Sequence, residues 1–356
     1  MRYALIGCGR VSPNHLQAAR NNRLEIAALC DINPEMMQEK ADRFDLGEVP
    51  QYTDYKQMLK EICPELVAIA TDSGKHAAIA LECIANGCNV IIEKPIALSI
   101  ADADAIIRAG REKGVAVCVN HQNRFNKSIQ YIRKAVEEKR FGRLLHGAAT
   151  IRWNRGEEYY KAASWRGTWA MDGGCLMNQC IHNIDLLRWM MGDEIEEVTA
   201  YTDRLIHPYM EAEDFGMAML KFKNGAYGLI EGTVNVYPKN LEETLILFGE
   251  KATAKAAGTS VNTIAEWSFA DGLDEPSEVK EAYSENPPNV YGFGHTPLYA
   301  DVIDAIRNKR APYVDGEAGK RALEVVLAIY QSAARHCPVK LPLKECATMD
   351  FVNQFQ

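Results

Sequence analysis

The chain has 356 residues, of which 47% are hydrophobic and 25% are charged, and its formal net charge is −8. The chain is longer than most chains that fold around a single hydrophobic core, and its composition is that of a folded globular protein. We therefore expect two domains. The acidic balance argues against nucleic acid or an anionic membrane as the main partner, and the longest apolar runs are too short to span a bilayer.

The N-terminal segment and the cysteines indicate a cytoplasmic protein. The first residues, MRYALIGCG, enter an apolar strand directly, without the basic leader of a secretory signal. The ten cysteines are scattered, and no two of them have the CxxC spacing of zinc or redox sites. We therefore expect reduced thiols, no metal site and a cytoplasmic location.

In the first 122 residues, short β-rich segments alternate with helical ones. The predicted strands are RYALIG, EIAALCDI, LVAIATD, NVIIEKP and VAVCVN, and segments with apolar residues at helical spacing lie between them. Nearly continuous apolar strands that alternate with helices are typical of a parallel sheet covered on both faces. The pattern predicts an α/β fold that begins with a doubly wound Rossmann domain over residues 1–122.

The turn after the first predicted strand has the composition of a dinucleotide-binding loop. Gly7 permits a tight turn, and Gly9 lets a pyrophosphate approach the backbone, with Arg10 and Val11 next to it. Asp31 ends the second predicted strand, where a carboxylate accepts hydrogen bonds from the ribose of NAD and repels the 2′-phosphate of NADP. The pattern predicts NAD as the cofactor; the alternative is a plain turn and a plain helix cap.

Two further predicted strand ends carry polar residues, and ligands of parallel sheets bind at that edge. The turn after LVAIA contains Thr71 and His76, which either line the cofactor pocket or only cap the next helix. Glu93 and Lys94 follow NVII, and Pro95 keeps Lys94 out of a helical conformation at the strand mouth. A lysine beside the cofactor can hydrogen-bond a substrate oxygen and stabilise its negative charge. The alternative is a surface pair of Glu93 and Lys94.

Residues 123–356 have the pattern of a second domain. The predicted strands are LLHGAATIRWN, IEEVTAYTDRL, FGMAMLKFK, AYGLIEGTVNVY and ETLILFGE, and the sequence KNG at 223–225 fits a hairpin turn. Apolar residues on both faces of YGLIEGTVNVY suit a subunit interface. We expect an α+β domain that binds substrate and forms oligomers, with a polar loop over 271–290.

The stretch GGCLMNQCIHNID, residues 173–185, contains the candidate catalytic groups of this domain. On a helix, Asn178 and His182 lie four residues apart, and Asp185 follows on the same side. His182 taken alone suits a buried structural histidine better than a catalytic one. Upstream, Arg166 lies in an aromatic segment and can pair with a carboxylate or diphosphate, the alternative being a structured loop.

Together, ALIGCGRVS, VIIEKPIAL and the glycine–histidine stretch resemble the Gfo/Idh/MocA family of oxidoreductases over nearly the whole chain. The resemblance implies a C-terminal domain with an open, mostly antiparallel sheet, and a homo-oligomer, dimer or tetramer, formed through that sheet. It implies that Lys94 is catalytic, often with a cis bond to Pro95, and that His182 acts as acid or base. Family members usually have aspartate where this chain has Asn178, whose amide orients an imidazole without adding charge.

The Asn178–Gln179 pair and NHQNRFN at 120–126 resemble the subgroup that oxidises UDP-N-acetylglucosaminuronate, a UDP-N-acetyl-hexosaminuronate, at C3. This implies hydride transfer from a sugar carbon to NAD. The residues expected to bind substrate are Arg124, Arg166, Asn178, Gln179 and His182, with His295 a weaker candidate. The alternatives are a free-sugar or inositol-type dehydrogenase, an NAD-dependent glycosidase with internal redox, and a non-catalytic NAD-binding regulator.

Overall fold

The computed structural model describes residues 1–192, 194–287 and 289–355. The chain divides into two compact units. The first comprises Met1–His121 and His295–Lys320, and the second comprises Gln122–Gly294 and Arg321–Gln356.

The first unit contains a six-stranded parallel sheet. Its strands are β1 (Arg2–Ile6), β2 (Glu25–Cys30), β3 (Gln51–Tyr52), β4 (Leu66–Ile69), β5 (Asn89–Ile92) and β6 (Val117–Val119). Five helices connect or follow them: α1 (Ser12–Asn21), α2 (Pro34–Arg43), α3 (Tyr55–Ile62), α4 (His76–Ala85) and α5 (Ile100–Lys113). The order in the sheet is β3-β2-β1-β4-β5-β6, and every pairing is parallel.

The central strands of this sheet are buried on both faces, as their apolar runs predict. All residues of β4 are buried, as are Val90–Ile92 of β5. Side chains of Asn33, Asp54 and Ser99 accept hydrogen bonds from the first turns of α2, α3 and α5, which is where these helices begin. The predicted doubly wound Rossmann domain is confirmed.

The second unit is built on an eight-stranded sheet. Its strands are β7 (Leu144–Arg152), β8 (Ile195–Asp203), β9 (Phe215–Phe222), β10 (Tyr227–Thr233), β11 (Glu242–Gly249), β12 (Ala252–Ala257), β13 (Thr263–Phe269) and β14 (Val339–Lys340). The order is β13-β12-β11-β7-β10-β9-β8-β14. Only β7 and β10 pair in parallel among these described strands, so the sheet is mostly antiparallel, as the resemblance implies.

Four helices of the second unit are α6 (Lys127–Glu137), α7 (Glu157–Lys161), α8 (Ile181–Met191) and α9 (Pro276–Ala282). A π-helical turn, Leu176–Cys180, leads directly into α8, which packs on β7, β10 and β11. Helix α9 lies in the stretch 271–290, for which the sequence predicts a loop. Its first residue is Pro276, and proline suits the first position of a helix because the amide of that residue has no partner within the helix. The predicted turn between β9 and β10 is present, and Gly225 there has a φ of +85°.

The last helices are α10 (His295–Asn308) and α11 (Gly316–Arg335). The segment 295–320 belongs to the first unit, whereas the sequence pattern assigned everything after residue 122 to the second domain. The hydroxyl of Tyr299 lies 2.6 Å from His15 Nδ1 and 3.1 Å from the Tyr3 hydroxyl, and Asp315 forms a β-bridge with Cys118. These partners are far apart in the chain, so no local pattern predicts them.

All ten cysteines lie within the described residues and are free thiols. None of the described helices has the length and apolar character needed to cross a membrane. The cytoplasmic location stays a prediction.

Candidate active site

The glycine turn after β1 and the end of β2 come together in the first unit. Gly7 has a φ of +96°, and a Cβ there would lie 2.4 Å from the carbonyl oxygen of Ala70, so only glycine fits. A Cβ on Gly9 would meet nothing within 4 Å, which leaves its backbone open to a ligand. Asp31 accepts hydrogen bonds from the Cys8 amide at 2.7 Å and the Asn33 amide at 2.9 Å.

This arrangement fits a dinucleotide. Helix α1 begins after Val11 with no side-chain cap and no acidic residue in its first turn, so its N-terminus suits a pyrophosphate. Arg10, beside it, is exposed. The carboxylate of Asp31 lies at the turn, where ribose hydroxyls of NAD bind in such folds.

His76 and Thr71, predicted at the cofactor pocket, lie in the turn between β4 and α4. His76 is buried, with Nδ1 2.7 Å from the Pro95 carbonyl oxygen and Nε2 3.2 Å from that of Thr71. Burial lowers the pKa of His76, so the neutral ring donates one hydrogen bond to these carbonyls. His76 thus connects this turn to Pro95 through its two ring nitrogens. Thr71 is half-buried.

Lys94 stands at the carboxyl end of β5. It is half-buried, while Val90–Glu93 before it and Pro95–Leu98 after it are buried. Its amide donates to Glu93 Oε2 at 3.3 Å, and its bond to Pro95 is cis, as the resemblance implies. Lys94 is therefore the residue of Val90–Leu98 that is not buried.

Glu93 is not part of a surface pair. Its Oε1 accepts a hydrogen bond from Asn120 and one from His15 Nε2 at 2.9 Å, and Asn120 also donates to His295 Nε2 at 3.0 Å. Burial alone would raise the pKa of Glu93, but His15 lowers it well below its usual range. Burial lowers the pKa of His295 to about 3. Glu93 therefore anchors the Lys94 backbone, and its place at the cofactor stays a prediction.

Within the part of the chain that the structure describes, His15, Glu93 and His295 bring potential metal-ligand atoms within 4.8 Å of one another. Hydrogen bonds already join these atoms to one another or to Asn120 and Tyr299. The cluster is accounted for as a hydrogen-bond network. The sequence does not point to His15, because nothing local distinguishes it from an ordinary polar residue, and the stretch 120–126 that contains Asn120 gives no sign that Asn120 bonds Glu93.

In the second unit, the π-helical turn and α8 present two polar side chains. Among the described residues of Leu176–Met191, only Asn178 and His182 are not buried. The turn was predicted as ordinary α-helix, so the predicted i,i+4 relation between these residues is altered by its wider winding. π-Helical turns are frequent at functional sites, where they change which side chains share a face.

Glu213, missed by sequence reasoning, holds the start of the π-helical turn. Its Oε1 accepts hydrogen bonds from the Leu176 amide at 2.8 Å and the Tyr330 hydroxyl at 3.0 Å. A Cβ on Gly174 would lie 1.7 Å from Glu213 Oε2, which explains the glycine before this turn. Burial raises the pKa of Glu213 to about 8.

This raised pKa predicts a pH dependence of stability. The folded state holds the Glu213 proton more tightly than the unfolded chain, so the free energy of unfolding falls as pH rises from about 4.5 to about 8. We expect Glu213→Gln to remove a slope of at most about 1.4 kcal/mol per pH unit. Urea unfolding from pH 5 to pH 8 measures it, with exposed Glu112→Gln as control. Equal slopes in wild type and Glu213→Gln would contradict the assignment.

Asp172, a second missed residue, contacts Asn178 directly. The Asn178 side-chain amide donates to Asp172 Oδ1, and the Gly167 backbone amide donates to Asp172 Oδ2 at 2.8 Å. Asp172 is buried, and Asn178 is half-buried. This chain has Asn178 where the family usually has aspartate, but the carboxylate of Asp172 lies in direct contact with Asn178.

Gln179 and Arg166 both contact Tyr159. The Gln179 amide lies 3.3 Å from the Tyr159 hydroxyl, and the Arg166 guanidinium lies over the Tyr159 ring, 4.0 Å from its centroid. Arg166 also donates to the Tyr159 carbonyl oxygen at 2.7 Å, and its buried Nε makes no hydrogen bond with the described residues. The predicted substrate-binding residues Gln179 and Arg166 thus share one cluster.

Arg124 has a different environment from the one predicted. Its Nε and Nη2 each donate to the Asp185 carboxylate at 2.6 Å, and its guanidinium lies 4.7 Å from the centre of the Trp189 ring. Arg124 and Asp185 are both buried, and Arg188 also pairs with Asp185 at 3.0 Å. This buried bidentate pair holds the guanidinium against α8, and a contact of Arg124 with substrate stays a prediction.

The chain is similar to known proteins over nearly its whole length. The model of the GFO/IDH/MocA oxidoreductase family with an NAD-binding Rossmann fold matches residues 1–121, and that of the GFO/IDH/MocA C-terminal domain matches residues 129–255. The crystal structure of the WlbA dehydrogenase from Bordetella pertussis with NADH and UDP-GlcNAcA is 39% identical, with a TM-score of 0.89 over 97% of this chain and 98% of that one.

The WlbA dehydrogenase from Chromobacterium violaceum, also solved with NADH and UDP-GlcNAcA, is 36% identical, with a TM-score of 0.88 over 97% of this chain and 96% of that one. Myo-inositol 2-dehydrogenase from Thermotoga maritima is 24% identical over 96% of this chain and 98% of its own length. The predicted family, enzyme class and cofactor, NAD, are confirmed. The roles of individual residues stay predictions.

Proposed function

Because the chain belongs to the Gfo/Idh/MocA family and is an NAD-dependent dehydrogenase of sugars or polyols, we propose that it oxidises UDP-N-acetylglucosaminuronate at C3. The observation that carries the proposal is the 39% identity, over nearly the full length of both chains, to a dehydrogenase solved with NADH and UDP-GlcNAcA. The Asn178–Gln179 pair and Arg166 support it, because amides suit sugar hydroxyls and a guanidinium suits a carboxylate or diphosphate.

The reaction needs a group that takes the hydroxyl proton while the carbon loses hydride. NAD, when bound at the glycine turn and Asp31, accepts that hydride at its nicotinamide. We assign the proton to Lys94 or His182, both of which are half-buried. A lysine at the reacting oxygen also stabilises the negative charge that develops there.

In the second unit, Asn178 is assigned to a substrate hydroxyl and Arg166 to the acidic part of the substrate. Gln179 supports both, since its amide lies against the same tyrosine that stacks on Arg166. Arg124 has no part in this assignment because Asp185 engages its guanidinium.

A second candidate function is oxidation of a free polyol. The similarity to myo-inositol 2-dehydrogenase covers nearly the whole length of both chains and favours it. Asn178 counts against it, because the family usually carries aspartate at that position.

The test follows the absorbance of reduced nicotinamide in purified protein with NAD and UDP-N-acetylglucosaminuronate, then with free sugars and myo-inositol. Addition of a 2-oxoacid detects NADH that stays on the enzyme, and the Lys94→Ala variant is the control. We expect reduction with the nucleotide sugar alone.

Reduction only with a free sugar or myo-inositol would replace the substrate and keep the enzyme class. No absorbance change with any compound, together with release of a sugar or aglycone, would favour the glycosidase with internal redox. No absorbance change and no released product would favour the non-catalytic regulator.

Asp31 predicts the choice between NAD and NADP. We expect Asp31→Ala to shift the ratio of kcat/KM for NADP to that for NAD upward by about tenfold, because a charge-assisted acceptor and a repulsive charge are both lost. Asp42→Ala, at an exposed position of α2, is the control. An unchanged ratio would show that Asp31 does not contact the ribose.

The exposed face of β8, β9 and β10 supports the predicted oligomer. Large apolar side chains lie on it at alternate positions, and the register pairs Tyr201 with Met217 and Met219 with Leu229. Tyr201 is 72% exposed and Met219 is 59% exposed, and Tyr227 extends the patch on β10. A contiguous exposed apolar face is typical of a protein interface, so we propose that a second copy of the chain covers it.

We expect Met219→Glu to shift the protein from dimer or tetramer to monomer in light scattering, because a buried unpaired charge would oppose association. Met349→Glu, at an exposed position outside the sheet, should leave the mass unchanged. A monomeric wild type, or a Met219→Glu variant of unchanged mass, would contradict the proposed interface.

A further inference from the structure

The contact between Asp172 and Asn178 restricts the chemistry of Asn178. A carboxylate at Asp172 only accepts hydrogen bonds, so the Asn178 side chain must turn its NH₂ group toward it. The Asn178 carbonyl oxygen, on the other side of the same planar group, is then directed away from Asp172. A flip of the amide would set an oxygen against a carboxylate oxygen, which costs a hydrogen bond and adds repulsion.

Asp172 is itself held in place. Its second oxygen accepts the Gly167 amide at 2.8 Å, and its backbone amide donates to the Thr168 carbonyl oxygen at 3.0 Å. Gly167 has a φ of +71°, and a Cβ there would lie 2.9 Å from Met210 Cγ. Asp172 is 2% exposed, so water does not compete with Asn178 for its carboxylate.

We infer that Asp172 is a positioning residue that makes Asn178 a hydrogen-bond acceptor for a substrate hydroxyl. This deepens the proposed function and rests on it. Asn178 then offers an acceptor oxygen, as the aspartate usual at this position would, but the negative charge resides on buried Asp172. The expected selectivity is for a hydroxyl at this point of the substrate over hydrogen or a bare oxygen acceptor.

A swap of the two side chains tests the inference. In Asp172→Asn the introduced carbonyl oxygen can still accept the Gly167 amide, and its NH₂ group would face Asn178. The Asn178 amide must then flip and direct its own NH₂ group toward the substrate. In Asp172→Asn/Asn178→Asp the introduced NH₂ group faces a carboxylate, and position 178 is an acceptor again.

We expect Asp172→Asn to lower kcat/KM for the nucleotide sugar roughly 10- to 100-fold, with KM for NAD unchanged. The double variant should recover to within about threefold of wild type, since additivity fails for residues in direct contact. Asn178→Asp alone should lose activity relative to wild type as pH rises, because the two adjacent carboxyl groups share a proton at low pH and repel each other once both are ionised. A role of Asp172 confined to the Gly167 amide predicts no recovery in the double variant.

Three results would overturn the inference: Asp172→Asn as active as wild type, a double variant as impaired as Asp172→Asn, or an Asn178→Asp variant whose activity relative to wild type does not fall as pH rises. The last variant retains Asp172 and answers even where Asp172→Asn fails to fold. If the wild type oxidises no nucleotide sugar, the proposed function fails separately. Thermal unfolding of the four proteins then tests the pair without substrate, since both single variants should unfold at lower temperature than the double variant.

Discussion

Alanine in place of Lys94 is expected to lower kcat by about 10²- to 10⁴-fold, the usual contribution of a positioned acid or base. The affinity for NAD should stay close to that of wild type. The elements that fit the cofactor are the Gly7–Gly9 turn and Asp31, and hydrogen bonds hold them without Lys94: the Gly7 amide donates to the Cys30 carbonyl oxygen and the Cys8 amide donates to Asp31. Stopped-flow absorbance gives the rate, and calorimetric titration with NAD gives the affinity.

Lys94→Arg separates charge from proton transfer. Arginine keeps a positive charge but does not lose its proton in proteins, so we expect this variant to be inactive as well if Lys94 is the base. Activity that survives in Lys94→Arg would assign Lys94 to charge stabilisation alone. Lys113→Ala, at the exposed end of α5, is the matched control. Wild-type activity in Lys94→Ala would remove this residue from the chemistry.

Glutamine in place of His182 is expected to lower kcat/KM for the sugar substrate by about 10²-fold or more, because an amide forms hydrogen bonds but does not take up a proton. His182 and Asn178 are the half-buried residues of an otherwise buried helical segment, so the change removes few packing contacts. We expect the unfolding temperature to stay near that of wild type. His336→Gln, at an exposed position, is the control.

The two variants together distinguish which residue handles the proton. If Lys94 and His182 act together in the same proton transfer, the Lys94→Ala/His182→Gln variant should be no slower than the slower of the two single variants. The effects of residues that act together are not additive. If His182→Gln retains full activity, His182 is structural and Lys94 alone serves as acid or base. Both outcomes are measured with the same substrate and the same absorbance assay.

Much of the first unit follows from local sequence patterns. The apolar runs and their spacing predict the strands and helices. Gly7, Asp31 and Lys94 follow β1, β2 and β5, and their positions at the strand ends make them candidates for contact with the cofactor. Such predictions depend on neighbours in the chain and on the general rule that parallel sheets bind ligands at one edge. The form of the second sheet was implied by the resemblance more than by alternation, because strands such as β9 and β10 also carry apolar residues on their exposed face, among them Met219 and Leu229.

The partners of the site residues were decided by the tertiary structure alone. Glu93 is enclosed by His15 and Asn120, from α1 and the segment after β6. Arg124, predicted to bind substrate, pairs with Asp185. Each of these hydrogen bonds joins residues that are distant in sequence, and burial selects them because a buried charge needs a partner.

For this protein, the sequence by itself determined the Rossmann domain, NAD as the cofactor, the family and the position of Lys94, since each follows from patterns along the chain and not from contacts between distant residues. Tertiary structure decided that 295–320 joins the first unit, that the turn before His182 is π-helical, and that Glu213 and Asp172 support it. The physical reason is that periodicity records which side of an element is buried. It does not record which distant side chain completes a buried hydrogen bond.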